Sequence, residues 1–332
     1  MVIEFIKKPW LCLPAGLSHK LGPVLLRSWS SLKPFPKNEN TKLKKLGLEF
    51  NNPFGTAGGL DKEAKDLFTW TKWGAGFLEI GTFTPEPQGP NPGKIIDRDV
   101  KSKALWNCMG FPNAGFKAVL PRIKDYKNKA GAHVLPLFIN IGKNRSTPLE
   151  QAQDDYVAGI KFFNDVADCF VINISSPNTK DLRLLHQKEN FQKFITPIIE
   201  ASKEFKNRTP LLVKLSPDLD DDSFSQFLKD CSELELDGFI LTNTTVDRPP
   251  EVNFPERGGL SGAPLCSKSL HKLKVARATI GDDSSQALIS VGGICSPSEA
   301  INRLNSGADL VQFYSGLIFH GPSLFNDSVK AL

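Results

Sequence analysis

Short apolar runs alternate with longer amphipathic stretches from residue 46 to the C-terminus. The β-prone runs predict eight strands, at Pro53–Ala57, Phe77–Thr82, Leu135–Ile141, Cys169–Ile174, Leu211–Leu215, Gly238–Thr242, Ala287–Val291 and Leu310–Tyr314. The helical patterns between them predict helices at Thr147–Phe163, Phe191–Phe205, Asp221–Leu234, Ser267–Ala278 and Ser296–Gly307. Because strands that alternate with helices pair in parallel, this order predicts an α/β fold. Eight such units indicate a (β/α)8 TIM barrel, with its chemistry at the carboxyl ends of the strands.

An open, doubly wound sheet is the alternative fold. That fold would place a G-x-G-x-x-G turn after an early strand, where the turn binds a dinucleotide. The turn after the first run reads Ala57-Gly58-Gly59-Leu60-Asp61-Lys62 and lacks this spacing. The pattern therefore favours the closed barrel.

A different pattern occupies residues 1–38, which we expect to form a short helical extension ahead of a barrel domain at residues 39–332. One apolar cluster is followed by a broad helical arc of Leu17, Leu21, Val24, Leu25, Trp29 and Leu32. Gly22-Pro23 should kink or restart this helix, and residues 33–45 look like a polar linker. Two interpretations stay open: helices packed on the barrel, or an amphipathic surface that lies in a lipid interface.

The N-terminal segment and the rest of the chain also differ in net charge. The 332 residues carry a net charge of +5, of which residues 1–48 supply +7 and the remainder −2. A nucleic-acid-binding protein usually spreads Lys and Arg over its folded face, so we expect no nucleic-acid partner. A short basic segment with large apolar residues instead favours an anionic membrane surface. No run approaches 18 consecutive apolar residues, so no membrane-spanning helix is expected.

The cysteines and the N-terminal residues limit the cellular compartments in which this protein is expected. The six cysteines form no C-x-x-C pair and no Cys/His cluster with zinc spacing, which favours a reducing compartment and no metal. Glu4 and Pro9 interrupt any secretory signal, and the segment lacks the arginine content of a mitochondrial presequence. We therefore expect a bacterial protein that lies peripherally on the cytoplasmic side of the inner membrane.

Amides, hydroxyls, lysines and glycines follow most of the predicted strands, whereas no strand end carries a histidine or paired carboxylates. This composition disfavours hydrolytic acid–base pairs and metal sites. Amide side chains both donate and accept, which suits a flat heterocycle with alternating C=O and N–H groups. Glycines after runs seven and eight lie where such barrels often hold a phosphate. FMN fits this set, and a nucleotide bound only as a signal would fit too.

Ten motifs that cover essentially the whole chain carry a family resemblance. They are NPFGTAGGLDK at 52–62, EIGTFTP at 79–85, NCMGFPN at 107–113, INIGKN at 139–144, NISSPNT at 173–179, LLVKLSPDL at 211–219, LTNTT at 241–245, GGLSG at 258–262, SVGGI at 290–294 and VQFYSGLIFHGP at 311–322. With these motifs in this order, the chain resembles the quinone-using (class 2) dihydroorotate dehydrogenases. The resemblance implies FMN-dependent oxidation of (S)-dihydroorotate to orotate in pyrimidine (UMP) biosynthesis, with a membrane quinone as electron acceptor.

The resemblance also implies roles for individual residues. The catalytic base would be Ser176, where class 1 enzymes have Cys, and the quinone site would include His19 and Arg98. FMN would contact Gly58, Gly59, Lys62, Thr82, Asn140, Asn173, Lys214, Thr242, Gly262, Gly293, Tyr314 and Ser315. Dihydroorotate would contact Lys62, Asn107, Cys108, Met109, Gly110, Phe111, Asn173, Asn178, Asn243 and Thr244.

The chain departs from the family pattern around the implied quinone site. Ile95 stands where a second Arg is usual, and Asp97 and Asp99 flank Arg98 where apolar residues are common. Cys108 replaces a common Arg. Two other functions stay open: a class 1-like enzyme that uses fumarate or a nicotinamide, and a non-catalytic flavin-binding barrel. Ser176 and the basic, apolar N-terminus argue against the first, and the combination of Ser176, Lys62 and the asparagines argues against the second.

Overall fold

The computed structural model describes residues 8–34, 36, 41–179, 181–205 and 208–332. Its strands, numbered along the chain, are β1 (Leu43–Lys45), β2 (Leu48–Phe50), β3 (Phe54–Thr56), β4 (Phe77–Phe83), β5 (Ile96–Asp99), β6 (Ala104–Asn107), β7 (Leu137–Ile141), β8 (Cys169–Asn173), β9 (Leu211–Leu215), β10 (Gly238–Leu241), β11 (Gly259–Gly262), β12 (Ala287–Val291) and β13 (Leu310–Phe313). Its α-helices are α1 (Ala15–Ser31), α2 (Leu67–Lys72), α3 (Phe116–Ala130), α4 (Ala152–Phe163), α5 (Lys188–Lys203), α6 (Asp221–Ser232), α7 (Ala263–Ile280), α8 (Pro297–Asn305), α9 (Ser315–Phe319) and α10 (Leu324–Val329).

Eight parallel strands close into a barrel in the order β3, β4, β7, β8, β9, β10, β12 and β13, and β13 pairs with β3 to complete the ring. All eight are the apolar runs identified in the sequence, so the closed barrel is confirmed and the open sheet is excluded. The strands are buried on both faces, which explains their nearly continuous apolar sequence. Their carboxyl ends meet at one rim, where the polar motifs collect.

The predicted helices are confirmed with shifted ends. The segment predicted as one helix at Thr147–Phe163 begins instead with a 3-10 turn, Leu149–Gln151, before α4. Side-chain caps mark two of the starts: Asp220 accepts from the Ser223 N–H ahead of α6, and Ser296 accepts from the Glu299 N–H ahead of α8.

A small hairpin closes the amino-terminal end of the barrel. Its strands, β1 and β2, pair antiparallel, so the predicted polar linker is wrong over residues 43–45. Phe50 from the hairpin meets the rings of Phe77 and Phe138 edge-on, with centroid distances of 5.6 and 6.2 Å. The hairpin thereby continues the apolar interior of the barrel and leaves only the opposite rim open for a ligand.

The N-terminal segment packs on the barrel through polar as well as apolar contacts. A 3-10 helix, Pro9–Cys12, precedes α1, and Trp10 Nε1 donates to the carbonyl oxygen of Ile318 (2.8 Å). Helix α1 runs unbroken through Pro23, so the predicted restart is wrong. The missing proline N–H removes one backbone hydrogen bond, which the packing of a 17-residue helix can offset. The predicted boundary at residues 38 and 39 lies outside the described residues.

The predicted apolar arc of α1 is largely exposed. Its six side chains are between 42 and 85 % exposed. Within the arc, Trp29 packs edge-on against Trp73 of the barrel, with 5.3 Å between the ring centroids. Polar contacts add to this packing, because Arg27 pairs with Asp66 (3.1 Å) and Ser30 Oγ donates to Thr69 Oγ1 (3.3 Å). The arc thus helps to pack α1 on the barrel at Trp29 and still leaves a large apolar surface exposed.

Three antiparallel strands outside the barrel were not anticipated from the sequence. Strands β5 and β6 form a hairpin, and β11 from far along the chain pairs with β6. This sheet carries Arg98 on β5 and Asn107 at the end of β6. It therefore brings two of the predicted site residues to the open rim of the barrel.

Candidate active site

A cavity with an empty volume of about 920 Å³ opens at the carboxyl ends of the barrel strands. None of its described lining residues carries a carboxylate or an imidazole. The predicted site residues that line it are Gly58, Gly59, Lys62, Thr82, Asn107, Met109, Gly110, Phe111, Asn173, Ser176, Asn178, Lys214, Thr242, Asn243, Thr244, Gly293, Tyr314 and Ser315.

Ser176 lies in the loop after β8 and is buried at the cavity wall. Its Oγ accepts a hydrogen bond from the backbone N–H of Asn178 (3.2 Å). A hydroxyl oxygen has two lone pairs, so one remains for a proton taken from a ligand. The next residue is Pro177, which has no N–H to compete for this oxygen.

The asparagines are held in fixed orientations by one another and by hydroxyls. Asn173 Nδ2 donates to Thr82 Oγ1 (3.0 Å), and Asn178 Nδ2 donates to Asn107 Oδ1 (2.8 Å). Asn243 Nδ2 donates to the hydroxyl of the serine that precedes Ser176 in the β8 loop (3.0 Å). Side chains fixed in this way present a defined set of donors and acceptors to a planar ligand.

Three buried polar atoms at this cavity have no hydrogen-bond partner within the described part of the chain. They are Asn178 Oδ1, Thr244 Oγ1 and Gln312 Oε1. Buried polar groups are normally satisfied, because an unpaired one costs free energy. All three residues line the cavity, so a ligand with N–H or O–H groups would supply the missing partners.

Lys62 is the cation at one side of the cavity. Its Nζ donates to the carbonyl oxygen of Gly59 (2.5 Å). Burial outweighs the opposing effect of Asp61 and lowers the pKa of Lys62 to about 8. With no acidic residue among the described lining residues, this ammonium suits an anionic ligand.

Lys214, on β9, is the second cation and lies deeper. Its ammonium forms an ion pair with Glu79 (2.9 Å), and both side chains are almost wholly removed from water. Lys214 lines the cavity whereas Glu79 lies behind it. The pair places a fixed positive group at the cavity floor.

Packing within the protein requires glycine at two positions of the cavity wall. A Cβ at Gly58 would collide with the Glu79 carboxylate, and one at Gly293 would collide with the backbone of Cys266 and Gly262. Gly293 also has φ +74°, which favours glycine. At both positions the cavity wall is therefore formed by backbone, because a side chain would displace protein atoms packed behind it.

A second cavity, with an empty volume of about 1350 Å³, lies between the N-terminal segment and the barrel. Apolar side chains from α1 and from the end of the barrel form most of its wall, and the predicted quinone-site residues His19 and Arg98 both line it. Tyr314 lines this cavity and the first one. The Tyr314 side chain is therefore a wall that the two cavities share.

His19 and Arg98 have different environments in this second cavity. Burial, together with the positive charge of Lys62, lowers the pKa of His19 to about 4, so its imidazole is neutral near pH 7. The Arg98 guanidinium donates to Ser18 Oγ (3.0 Å) and to the carbonyl oxygens of Trp10 (2.6 Å) and Leu13 (2.5 Å). Arg98 thus anchors the N-terminal segment as well as lining the cavity.

A family model described as dihydroorotate dehydrogenase matches residues 41–332. The chain belongs to the dihydroorotate dehydrogenase family. Family members are flavoproteins. The chain is 42 % identical over 294 residues to a dihydroorotate dehydrogenase (quinone) of Stenotrophomonas maltophilia strain R551-3, covering 86 % of this chain and 82 % of that protein. It is 40 % identical over 305 residues to a Brucella melitensis biotype 2 protein of the same name, covering 90 and 81 %.

Solved structures of a dihydroorotate dehydrogenase from Eimeria tenella have the same fold. The complex with ferulenol superposes with a TM-score of 0.86 at 32 % identity, covering 96 % of this chain and 91 % of that chain. The ligand-free form gives a TM-score of 0.87 at 32 % identity, covering 94 and 92 %. The similarity therefore includes the N-terminal segment, which lies outside the residues matched by the dihydroorotate dehydrogenase family model.

Three of the residues predicted to contact FMN or dihydroorotate do not line the first cavity. Asn140 lies behind it and donates to Glu79 Oε1 (2.5 Å), and Cys108 is buried with its Sγ 4.0 Å from Asn91 Nδ2. Gly262, at φ +89°, packs its carbonyl under Gly293. Their predicted ligand contacts stay predictions, and the structure places all three directly beside residues that line the cavity.

Sequence reasoning missed two polar residues of the barrel interior, Glu79 and Gln312. A signal was present, because each interrupts a buried, apolar strand with a polar side chain. The other missed lining residues are mostly small or apolar and carried no chemical signal: Ala57, Pro112, Ser261, Leu265, Val291, Gly292 and Ile294.

The described residues contain no group of three or more His, Cys, Asp or Glu side chains arranged to hold a metal ion. Likewise, no helix among them is both long and apolar enough to cross a bilayer.

Proposed function

We propose that this chain oxidises (S)-dihydroorotate to orotate, with FMN in the first cavity and a membrane quinone in the second as the final electron acceptor. The observation that carries the proposal is one arrangement: Ser176, Lys62 and the ordered asparagines share a cavity that meets an apolar cavity at Tyr314. The quinone-dependent relatives support the same activity.

The chemistry of the first cavity suits dihydroorotate. The substrate carries one carboxylate, for which Lys62 offers the counter-charge. Its ring has amide-like edges, which Asn107, Asn178 and Asn243 can match with donors and acceptors. The unpartnered Asn178 Oδ1 and Thr244 Oγ1 supply two of the positions where ring N–H groups could bind.

Ser176 is the residue proposed to accept the proton from the substrate. A serine hydroxyl is a weak base, so it must act on a C–H that an adjacent carbonyl has acidified, and it must pass its own proton onward. Its burial in the loop and its fixed Oγ orientation support this role. The asparagines around it hold the substrate and exclude water.

The residues also fit FMN. When bound, FMN supplies the two-electron acceptor that amino-acid side chains lack. Gly58 and Gly293 form the cavity wall with backbone alone, and the buried Gln312 Oε1 lacks a donor. Lys214 would lie at the floor of the same cavity, where a positive charge favours a reduced, negatively charged ring.

The second cavity suits a quinone head group with a lipid tail. His19 and Arg98 can donate hydrogen bonds to carbonyl oxygens within an otherwise apolar wall. The exposed apolar arc of α1 lies beside it and would bury itself in a lipid interface. We accordingly propose a peripheral protein at the cytoplasmic side of a bacterial inner membrane, held there by residues 1–38.

The decisive experiment mixes the purified protein anaerobically with dihydroorotate and follows the flavin absorbance. We expect a yellow protein that bleaches with dihydroorotate and recovers its colour with a quinone, but not with fumarate or NAD⁺. Recovery with fumarate or NAD⁺ instead would support the class 1-like function. A yellow protein that does not bleach would support a non-catalytic flavin-binding barrel.

A further inference from the structure

A buried carboxylate lies beneath the first cavity without contacting its open space. Glu79, on β4, has no exposed surface. Its Oε1 accepts from Lys214 Nζ (2.9 Å) and from Asn140 Nδ2 (2.5 Å), and its Oε2 accepts from Gln312 Nε2 (2.6 Å). These three donors stand on β9, β7 and β13, so Glu79 ties four barrel strands together at one point.

Two of these donors also line the cavity. Lys214 and Gln312 present their side chains both to Glu79 and to the ligand space, and the backbone of Gly58 passes directly over the carboxylate. A carboxylate removed from water is strongly disfavoured unless cations and hydrogen-bond donors compensate it. The three bonds to Glu79 therefore fix the direction in which Lys214 and Gln312 point.

We propose that Glu79 is a positioning residue, which holds the Lys214 ammonium at the cavity floor and thereby sets the preference of the site for reduced over oxidised FMN. This inference rests on the proposed function, because it takes FMN as the ligand of the first cavity. A reduced flavin gains negative charge, so it is favoured by an ammonium held in place and not by one free to turn away.

The test titrates FMN-free protein with oxidised FMN and with reduced FMN under anaerobic conditions. The ratio of the two dissociation constants measures the preference for reduced FMN. Glu79→Gln keeps the side-chain shape but removes the charge and one acceptor. We expect it to lose at least tenfold in the preference for reduced FMN, which corresponds to about 30 mV in a two-electron potential. Lys214→Gln should lose at least as much of this preference. The variant that combines Glu79→Gln with Lys214→Gln should lose no more of it than Lys214→Gln alone.

Asp309→Asn is the matched control. Asp309 is also a carboxylate of the barrel, paired with Arg277 (3.0 Å) and Lys45 (2.9 Å), but at the opposite, amino-terminal end of the strands. This variant should keep the wild-type preference within twofold. If Glu79→Gln does not fold, Glu79→Asp carries the same comparison, because the shorter carboxylate cannot reach all three donors.

Three results would overturn the inference. One is a preference unchanged by Glu79→Gln. Another is a shift toward reduced FMN, the direction expected if Glu79 acts only through its own negative charge. The third is a further loss when Glu79→Gln is added to Lys214→Gln. A wild-type protein that binds no FMN, or whose FMN dihydroorotate does not reduce, would reject the proposed function itself, independently of these variants.

Discussion

The guanidinium of Arg183 donates a hydrogen bond to the backbone carbonyl oxygen of Thr244 (3.0 Å). The same side chain donates to the carbonyl oxygen of Ser175 (3.2 Å) and pairs with Asp218 (2.8 Å). Arg183 therefore joins the loop that carries the proposed base, Ser176, to the loop that carries the proposed substrate residues after β10. The geometry needs a planar group with several donors, which lysine does not provide.

Arg183→Lys should weaken orotate binding by about tenfold or more, because the two loops would lose the planar group that joins them and the site residues would be displaced. Titration of flavin absorbance with orotate measures the effect. Arg277→Lys is the control, because Arg277 holds the carbonyl oxygen of Gly307 at the other end of the barrel (2.8 Å). Equal orotate affinity in wild type and Arg183→Lys would show that the link between the loops does not position the site.

Ser176→Ala should retain FMN and slow its reduction by dihydroorotate by about 10²–10⁴-fold, the usual contribution of a general base. Stopped-flow absorbance follows this half-reaction directly. Ser216→Ala is a close control, because Ser216 Oγ accepts the N–H two residues onward at 3.2 Å, as Ser176 Oγ does. A near-normal rate in Ser176→Ala would assign the proton transfer to another group.

Orotate affinity should depend on the charge of Lys62. Because burial lowers the pKa of Lys62 to about 8, its ammonium is present below pH 8 and is lost above it. We expect the affinity for orotate to be constant from pH 6 to about 7.5 and to fall by up to tenfold per unit above pH 8. Lys62→Arg stays charged and should flatten the profile over the same range. A wild-type affinity that is level up to pH 9.5 would contradict this assignment.

His19→Ala should raise the quinone KM or slow flavin reoxidation, without changing reduction by dihydroorotate. His271→Ala, an exposed histidine paired with Asp221, should leave both half-reactions unchanged. Parallel losses in both half-reactions of His19→Ala would instead indicate a structural role.

The lowered pKa of His19, about 4, also has a consequence for stability. The unfolded chain binds a proton at this side chain below about pH 6.5, whereas the folded protein does not until about pH 4. The free energy of unfolding should therefore fall as the pH drops from 6.5 toward 4, and less so in His19→Ala. Denaturant unfolding at pH 7 and pH 5 measures this difference. An equal fall in both proteins would place His19 in a solvated environment.

Leu21→Asp together with Leu32→Asp should abolish binding to anionic liposomes while leaving reduction by dihydroorotate intact. Leu21 in α1 and Leu32 directly after it belong to the exposed apolar arc, and a charge there would oppose burial in a lipid interface. Leu332→Asp alters an exposed leucine at the C-terminus and is the control. Liposome binding that survives the double substitution would show that another surface holds the protein at the membrane.

The sequence by itself determined the order of the eight barrel strands, five of the helices between them, and most of the polar residues at the rim. Strands buried on both faces must be apolar along their whole length, so runs such as Leu211–Leu215 are visible without a structure. The polar side chains at the open rim of a barrel follow its strands, so motifs such as the one around Ser176 can be located in the sequence, whereas the role of each residue is what the family resemblance implies.

Only the tertiary structure decided which side chains act together. Glu79 and Lys214 are 135 residues apart, and no local pattern pairs them; the barrel does, because both point to its axis. The antiparallel sheet that includes β5 likewise brings Arg98 to the carbonyl oxygens of the N-terminal segment. The periodicity of apolar residues indicates whether a side chain is buried. The side chain that it contacts depends on the order and register of the strands in the closed sheet, which are properties of the whole chain.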